Sequence, residues 1–127
     1  MSDQQSESPK FFKLSEFDCK CKRKACDALP MQKGILEKLE LLREMWGKPL
    51  VPTSGRRCEY QNKRTRGAAP NSQHLLGNAC DFFMEDLKEV KALMEIAEKV
   101  GFKGIGYGRR LIHVDDRKKY ARWLYNS

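Results

Sequence analysis

Residues 71–81 read Asn71-Ser72-Gln73-His74-Leu75-Leu76-Gly77-Asn78-Ala79-Cys80-Asp81, a turn that leads into an apolar run ending at Met84. Residues 78–84 are predicted to form a strand, in which Ala79, Asp81 and Phe83 share one face. The chain holds two histidines, and Asp81 follows the first of them, His74, by seven positions. The second, His113, lies within another apolar run, residues 111–115. Two imidazoles and one carboxylate are a three-ligand zinc set with a fourth position left for water, although scattered histidines are also ordinary polar residues.

The rest of the chain predicts an α+β fold, a small antiparallel sheet flanked by two helices around one zinc site. Apolar residues recur at helical spacing over residues 31–46 and again over 85–100, and a glycine ends each run, Gly47 and Gly101. Residues 105–107 and 111–115 are predicted to be two strands of a hairpin that turns near Gly108. Residues 54–72 carry Gly55, Gly67 and Pro70, and they are predicted to be a long loop.

Length and net charge limit the number of domains and the kinds of partner that the chain can have. The chain has 127 residues, which fits a disordered tail at residues 1–10 and a single domain at 11–127. The net charge is +8, which favours a polyanionic partner such as nucleic acid, a membrane surface or an anionic wall polymer. Aromatic and basic residues do not alternate as in a single-strand binder, so no nucleic acid is expected. The sequence lacks a run of about 18 apolar residues, so no membrane span is predicted. The polar N-terminus predicts synthesis in the cytoplasm without a signal peptide.

Five cysteines occur, an odd number that argues against a complete disulfide framework. Three of them form the pattern Cys19-x-Cys21-x4-Cys26, and folding could bring Cys58 close to them. A thiolate site for a second zinc ion is one interpretation, but the spacing lacks the familiar pair of cysteines separated by two residues. Reduced thiols, some of them packed in the core, are the interpretation that we prefer from sequence.

Four motifs occur together, in the order Thr53-Ser54-Gly55-Arg56-Arg57, Ser72-Gln73-His74 with Asp81, Gly104-Ile105-Gly106-Tyr107, and Ile112-His113-Val114-Asp115. This succession resembles the D-alanyl-D-alanine carboxypeptidase type of zinc peptidase, a group that includes vancomycin-resistance dipeptidases, phage endolysins and the hedgehog signalling domain. The resemblance extends from about residue 11 to residue 123. It implies a zinc-dependent metallopeptidase that hydrolyses peptide bonds in bacterial peptidoglycan, as a carboxypeptidase or as a cross-link or stem endopeptidase.

By this resemblance His74, Asp81 and His113 are the zinc ligands. Ser72 helps to position the substrate, and Arg57 matches the arginine that polarises the scissile carbonyl or holds a substrate carboxylate. A guanidinium suits either task because it is permanently charged and offers paired donors. Arg56 lies next to Arg57, so the sequence leaves the assignment between them open. Tyr107 is a candidate substrate contact, with burial in the core as the alternative.

The general base departs from the family pattern. Several members carry Asp or Glu three residues before the last histidine, where this chain has Arg110. Asp115 is the best substitute, because residues i and i+2 of a strand share a face. It could move the proton from water to the leaving amine, or it could be the acceptor that orients a metal-bound imidazole. The sequence does not choose between these roles.

Two other functional classes remain open from sequence. One is a catalytically inactive, zinc-containing module that binds the cell wall, which the missing acid at position 110 favours. The other is a nucleic-acid binder that uses the cysteines and the net charge. For the peptidase, we expect a monomer that acts on the wall after release from the cytoplasm, as a phage endolysin does, or after non-classical export.

Overall fold

The computed structural model describes residues 10–125. It contains three α-helices, α1 (Lys33–Trp46), α2 (Glu59–Arg64) and α3 (Leu87–Val100), and five strands, β1 (Val51–Ser54), β2 (Ala79–Phe83), β3 (Gly104–Tyr107), β4 (Leu111–Asp115) and β5 (Ala121–Leu124). Two short 3-10 turns, Leu14–Phe17 and Gln73–Leu76, connect them. The predicted α+β class is confirmed. The predicted tail at residues 1–10 lies, apart from Lys10, outside the described residues.

The two long helices form where their apolar stripes predict them. In α1 the stripe buries Ile35, Leu39 and Leu42, and the helix ends at Gly47, which has a φ of +79°. In α3 the N-cap Asp86 accepts a hydrogen bond from the Glu89 N–H, which explains why the helix begins two residues later than predicted. Its buried residues are Val90, Leu93 and Ala97, and Met94 packs partly buried against the same core.

The sheet has the strand order β1-β2-β4-β3-β5. Its first four strands pair antiparallel, but β3 and β5 pair in parallel, so the sheet is mixed and the wholly antiparallel prediction is wrong in this detail. The strand β5 is not predicted from sequence, because its four residues are only partly buried and show no apolar alternation. Helix α2, a six-residue polar helix inside the predicted loop 54–72, is not predicted either, because it has no apolar stripe.

The two faces of the sheet carry different kinds of residue. Residues such as Phe82, Ile105 and Val114 point to one face, where they join α1 and α3 in a single hydrophobic core. On the other face, the strand registers align Asp81 with His113 and then His113 with Gly106. Helices α1 and α3 therefore cover one face, and Asp81 and His113 lie together on the other. Within the described part of the chain, no helix has the length and apolar character that a membrane crossing requires.

Candidate metal centre

His74 is positioned by a short, tightly capped turn. It lies in the 3-10 turn Gln73–Leu76, where the Ser72 hydroxyl accepts a hydrogen bond from the His74 N–H at 3.1 Å. The turn ends at Gly77, which has a φ of +67° and packs so closely on the Pro30 carbonyl that a Cβ atom would collide with it. Two residues later the chain enters β2, which carries Asp81.

The three predicted ligands converge. Asp81 and His113 are directly opposite each other on β2 and β4, and Asp81 Oδ1 lies 2.9 Å from His113 Nδ1. The same oxygen lies 3.3 Å from His74 Nε2. One atom from each side chain therefore falls within a radius that a single metal ion can span. We refer to these residues as the His74–Asp81–His113 centre.

The partners of the two imidazoles define where their lone pairs point. The Nδ1 atom of His74 lies 2.6 Å from the carbonyl oxygen of Gly55, which only accepts, so Nδ1 carries the proton. The Nε2 lone pair of His74 then faces Asp81 Oδ1. This Nε2 atom is buried and has no hydrogen-bond partner among the described residues. Two facing acceptors repel each other unless a cation lies between them.

His113 also has one nitrogen that donates a hydrogen bond and one that faces Asp81, but here Nε2 donates and Nδ1 faces Asp81. Its Nε2 atom lies 2.6 Å from Asp115 Oδ2, and a carboxylate accepts, so Nε2 carries the proton and the Nδ1 lone pair faces Asp81. Two imidazole lone pairs and one carboxylate oxygen thus point at a common position. This donor set fits a zinc ion with three protein ligands and an open fourth position.

The charges around the centre favour a cation. Burial alone would raise the pKa of the Asp81 carboxyl, but His113 and His74 outweigh it and hold this pKa well below its usual range. Burial alone would lower the pKa of His113, yet its contacts with Asp115 and Asp81 raise it. The same two carboxylates that attract a proton to this imidazole attract a metal ion.

Asp115 is completely buried beneath His113. Its carboxylate accepts hydrogen bonds from His113 Nε2, from the Arg117 backbone N–H and from Arg117 Nε and Nη2, the last at 2.7 Å. Burial alone would raise the pKa of Asp115, but these donors hold it well below its usual range. This contact with His113 Nε2 is the geometry expected of an acceptor that orients a metal-bound imidazole. Asp115 is not among the residues that line the open cavity, so its geometry does not support the general-base role.

Arg57, rather than Arg56, reaches the centre. Its side chain is 5% exposed, and its guanidinium donates to Asn62 Oδ1 at 2.9 Å and to Ser54 Oγ at 3.0 Å. Its Nη2 atom lies 3.9 Å from Asp81 Oδ2. Burial lowers the pKa of Arg57 and Asp81 opposes this shift. Arg56 turns away, because its guanidinium donates to the Ala28 carbonyl and to Asp18.

An open cavity of about 970 Å³ lies above the centre. Its lining includes the three candidate ligands and Arg57, Ser72 and Tyr125. Tyr107 is not part of this lining; it lies on the opposite face of the sheet, where it packs partly buried against the core. The structure thus does not bring Tyr107 to the substrate side, and the core alternative describes it correctly.

Sequence reasoning missed three residues that complete the site. The Trp123 ring lies 5.1 Å from that of His113 and covers Gly106, where a Cβ atom would collide with the indole. The Arg117 guanidinium lies over the Trp123 ring and donates hydrogen bonds to the Asp115 carboxylate. Tyr125 follows Trp123 by two residues and lines the cavity. The pairing of β5 with β3 brings Trp123 beside Gly106, and only the small residue at position 106 signals it in the sequence.

His74, Asp81 and His113 open into a cavity with Arg57 beside them, an arrangement that a metal-dependent hydrolase can use. The comparison with known families agrees: a family model described as Peptidase M15 matches residues 10–115. The chain belongs to this family, whose members are zinc-dependent metallopeptidases. A search of curated proteins finds no match.

Proposed function

We propose that this protein is a zinc-dependent peptidase that hydrolyses peptide bonds in bacterial peptidoglycan. The observation that carries the proposal is the convergence of two imidazole lone pairs and the Asp81 carboxylate at the floor of an open cavity. Membership of the Peptidase M15 family supports the reaction type. The cavity lining holds Arg57, Arg66 and Arg117, with Asp81 as its only carboxylate among the described residues. This excess of positive charge suits the carboxylate-bearing stem peptides of the wall.

The metal would be held by His74 Nε2, Asp81 Oδ1 and His113 Nδ1. When bound, zinc supplies Lewis-acid chemistry: it polarises a carbonyl oxygen and lowers the pKa of water to near neutrality. The protein contributes the orientation of the ligands. Gly55 and Asp115 each accept the proton of one imidazole and thereby keep the other nitrogen free to bind the metal.

Arg57 is the group that binds the substrate oxygen. Its guanidinium is held by Asn62 and Ser54, so it is ordered before any substrate arrives. A fixed, buried positive charge stabilises an oxyanion more than a mobile one does, since no reorganisation is needed during the reaction. Ser72 lines the cavity as the cap of the His74 turn, which allows it to contact the substrate while it positions a ligand.

Proton transfer has to be assigned to a group other than Asp115. Tyr125 lines the cavity, and burial raises the pKa of its phenol, so this group carries its proton at neutral pH. A protonated phenol can donate to the amine that leaves when the peptide bond breaks. We assign Tyr125 as the candidate general acid and Asp115 as a positioning residue for His113.

A second candidate function has its own supporting observation. Asp115 is engaged by His113 and Arg117, and Arg110 points away, donating to the Glu85 carbonyl at 3.2 Å. A cavity whose only carboxylate is a candidate metal ligand also fits a zinc-containing module that binds wall peptides without cleaving them. The two functions share the metal and the binding groups, and they differ in turnover.

The experiment is a digestion of purified peptidoglycan, analysed by mass spectrometry and paired with the zinc content of each variant. We expect wild type to release muropeptide fragments whose masses identify the bond, and His113→Ala to lose activity together with the zinc ion of the His74–Asp81–His113 centre. Arg57→Ala should keep its zinc but lose about 100-fold or more in kcat/KM. Arg56→Ala is the matched control, because the neighbouring guanidinium faces Ala28 and Asp18, and it should remain active.

The same assay separates the two candidates. If zinc-loaded wild type releases no fragment but sediments with peptidoglycan, and Arg57→Ala does not sediment, the binding module is correct and the peptidase is excluded. If Arg56→Ala loses as much activity as Arg57→Ala, the assignment of the oxygen-binding arginine is wrong.

A further inference from the structure

Four of the five cysteines converge at a place separate from the His74–Asp81–His113 centre. The Sγ atoms of Cys19, Cys21, Cys26 and Cys58 all lie within 4.8 Å of one another, and those of Cys19 and Cys58 are 3.5 Å apart. In a tetrahedral site with zinc–sulfur bonds of about 2.3 Å, neighbouring sulfur atoms are about 3.8 Å apart. All four are free thiols in the structure, and this separation is too long for a disulfide bond. We call these residues the cysteine cluster.

Backbone N–H groups point at the sulfur atoms of the cluster. The Arg23 N–H donates to Cys21 Sγ, the Cys58 N–H to Cys19 Sγ and the Gln61 N–H to Cys58 Sγ, each at 3.4 Å. A thiol is a weak acceptor, whereas a thiolate accepts such bonds well. Three donors aimed at three of the four sulfurs indicate an environment built for thiolates, which is the form that binds zinc.

The residue after Cys21 has a backbone conformation that is unfavourable for its type. Lys22 has a φ of +61° and is the one non-glycine residue with positive φ in residues 10–125. This conformation costs free energy for a lysine and persists where the surroundings impose it. Here it brings the Arg23 N–H back onto Cys21 Sγ.

The charges next to the cluster fit a metal–thiolate group. Four thiolates around a zinc ion carry a net charge of about −2. The segment that supplies three of the sulfurs also supplies Lys20, Lys22, Arg23 and Lys24. Among these, the Arg23 guanidinium lies 3.9 Å from Cys58 Sγ. A cluster of uncharged thiols would give no reason to gather four positive charges on one short segment.

We infer that Cys19, Cys21, Cys26 and Cys58 bind a second zinc ion, which has a structural role. Four sulfur ligands fill the coordination sphere and leave no open position for a substrate. The ion would join the segment 19–26 to Cys58, the cap of α2, which directly follows Arg57. This inference replaces our preference for uncoordinated thiols, which relied on the readiness of free cysteine to be buried in a core, whereas Cys19, Cys21 and Cys26 are only half-buried.

The test is the zinc stoichiometry of the full chain, purified without chelator under reducing conditions and measured by elemental mass spectrometry. We expect two zinc ions per chain in wild type, one in His74→Ala and one in the double variant Cys19→Ser/Cys58→Ser. Cys80→Ala is the matched control, since this fifth cysteine is buried in the core, and it should keep both ions. The His74→Ala result also separates this inference from the proposed function, because the cluster zinc should survive loss of the catalytic one.

A second measurement covers the case in which the double variant does not fold. Wild type and His74→Ala reconstituted with Co²⁺ should both show sulfur-to-cobalt charge-transfer absorption in the near ultraviolet. Four thiols should also become reactive towards a thiol reagent only after a chelator is added. One zinc per wild-type chain that disappears in His74→Ala, with no charge-transfer band, would overturn the inference. So would an intact mass two hydrogens lower than expected, with the disulfide mapped by peptide analysis to two cysteines of the cluster.

Discussion

Replacing Asp115 with asparagine tests how the protein orients His113. The carboxylate now accepts hydrogen bonds from His113 Nε2 and from the Nε and Nη2 atoms of Arg117. Asparagine has nearly the same shape, but it offers one acceptor oxygen and an NH2 group that only donates. If the oxygen keeps its bonds to Arg117, the NH2 group faces His113 Nε2, which must then give up its proton.

The consequence for metal binding follows from the tautomer. With its proton moved to Nδ1, His113 no longer directs a lone pair at the position next to Asp81. Loss of such a supporting carboxylate typically weakens metal binding about 10–100-fold, which corresponds to about 1.4–2.8 kcal/mol. We therefore expect the zinc Kd of Asp115→Asn to rise by about 10–100-fold. A general base would behave differently, since its removal lowers kcat and leaves the zinc Kd unchanged.

The assay is a zinc titration in competition with a chromophoric chelator. Asp116→Asn is the matched control, because its carboxylate is bound by Lys38 Nζ at 2.7 Å on the outside of the fold. Loss of that partly exposed pair should change the zinc Kd less than about twofold. Equal zinc affinities of the two variants would refute the orienting role. Lost turnover with unchanged zinc affinity in Asp115→Asn would establish the proton-transfer role instead.

Three further outcomes are expected. Tyr125→Phe should lower kcat by about 100-fold or more with its zinc content unchanged, and full activity would exclude the phenol as general acid. Gly106→Ala should destabilise the fold by about 1–3 kcal/mol in thermal unfolding and shift the fluorescence of Trp123, because the new Cβ collides with the indole. Gly34→Ala is its control: its nearest neighbour would lie at 3.8 Å, so this helical substitution should raise stability by up to about 1 kcal/mol. Asp86→Ala should lower the free energy of unfolding by about 1 kcal/mol in urea titrations through loss of the α3 cap.

The elements that could be predicted from sequence are those with a strong local signal. Helix α1 has an apolar stripe that includes Ile35 and a terminal glycine, and these act within a few residues of each other. The strand β4 is short, but apolar and polar residues alternate over residues 112–115 and turn residues lie nearby, and these signals identify it. The candidate ligands His74, Asp81 and His113 could be predicted because they lie in motifs whose order resembles that of the zinc peptidases. The chemistry of a histidine-and-carboxylate set also follows from the residue types alone.

The missed features depend on contacts between distant parts of the chain. The strand β5 has little apolar pattern, and it forms because β3 offers it a free edge and Gly106 leaves room for Trp123. Which of Arg56 and Arg57 reaches the centre depends on how the loop turns. The two are neighbouring residues of the same type, so the sequence alone does not distinguish them. The convergence of the cysteines likewise requires Cys19 and Cys58 to meet across 39 residues.

The loop of residues 54–58 links the two candidate metal sites, and the contacts that its residues make explain why these residue types occur in it. Gly55 offers its carbonyl to His74 Nδ1, and a Cβ atom at this position would lie 2.6 Å from the Phe17 carbonyl oxygen, so glycine is required for the close approach. The Arg57 N–H donates to the His74 carbonyl at 3.0 Å, while its side chain enters the cavity. Cys58 then belongs to the cysteine cluster. Because these contacts occupy five consecutive residues, a zinc ion at the cluster would hold both the arginine and the carbonyl that sets the His74 tautomer.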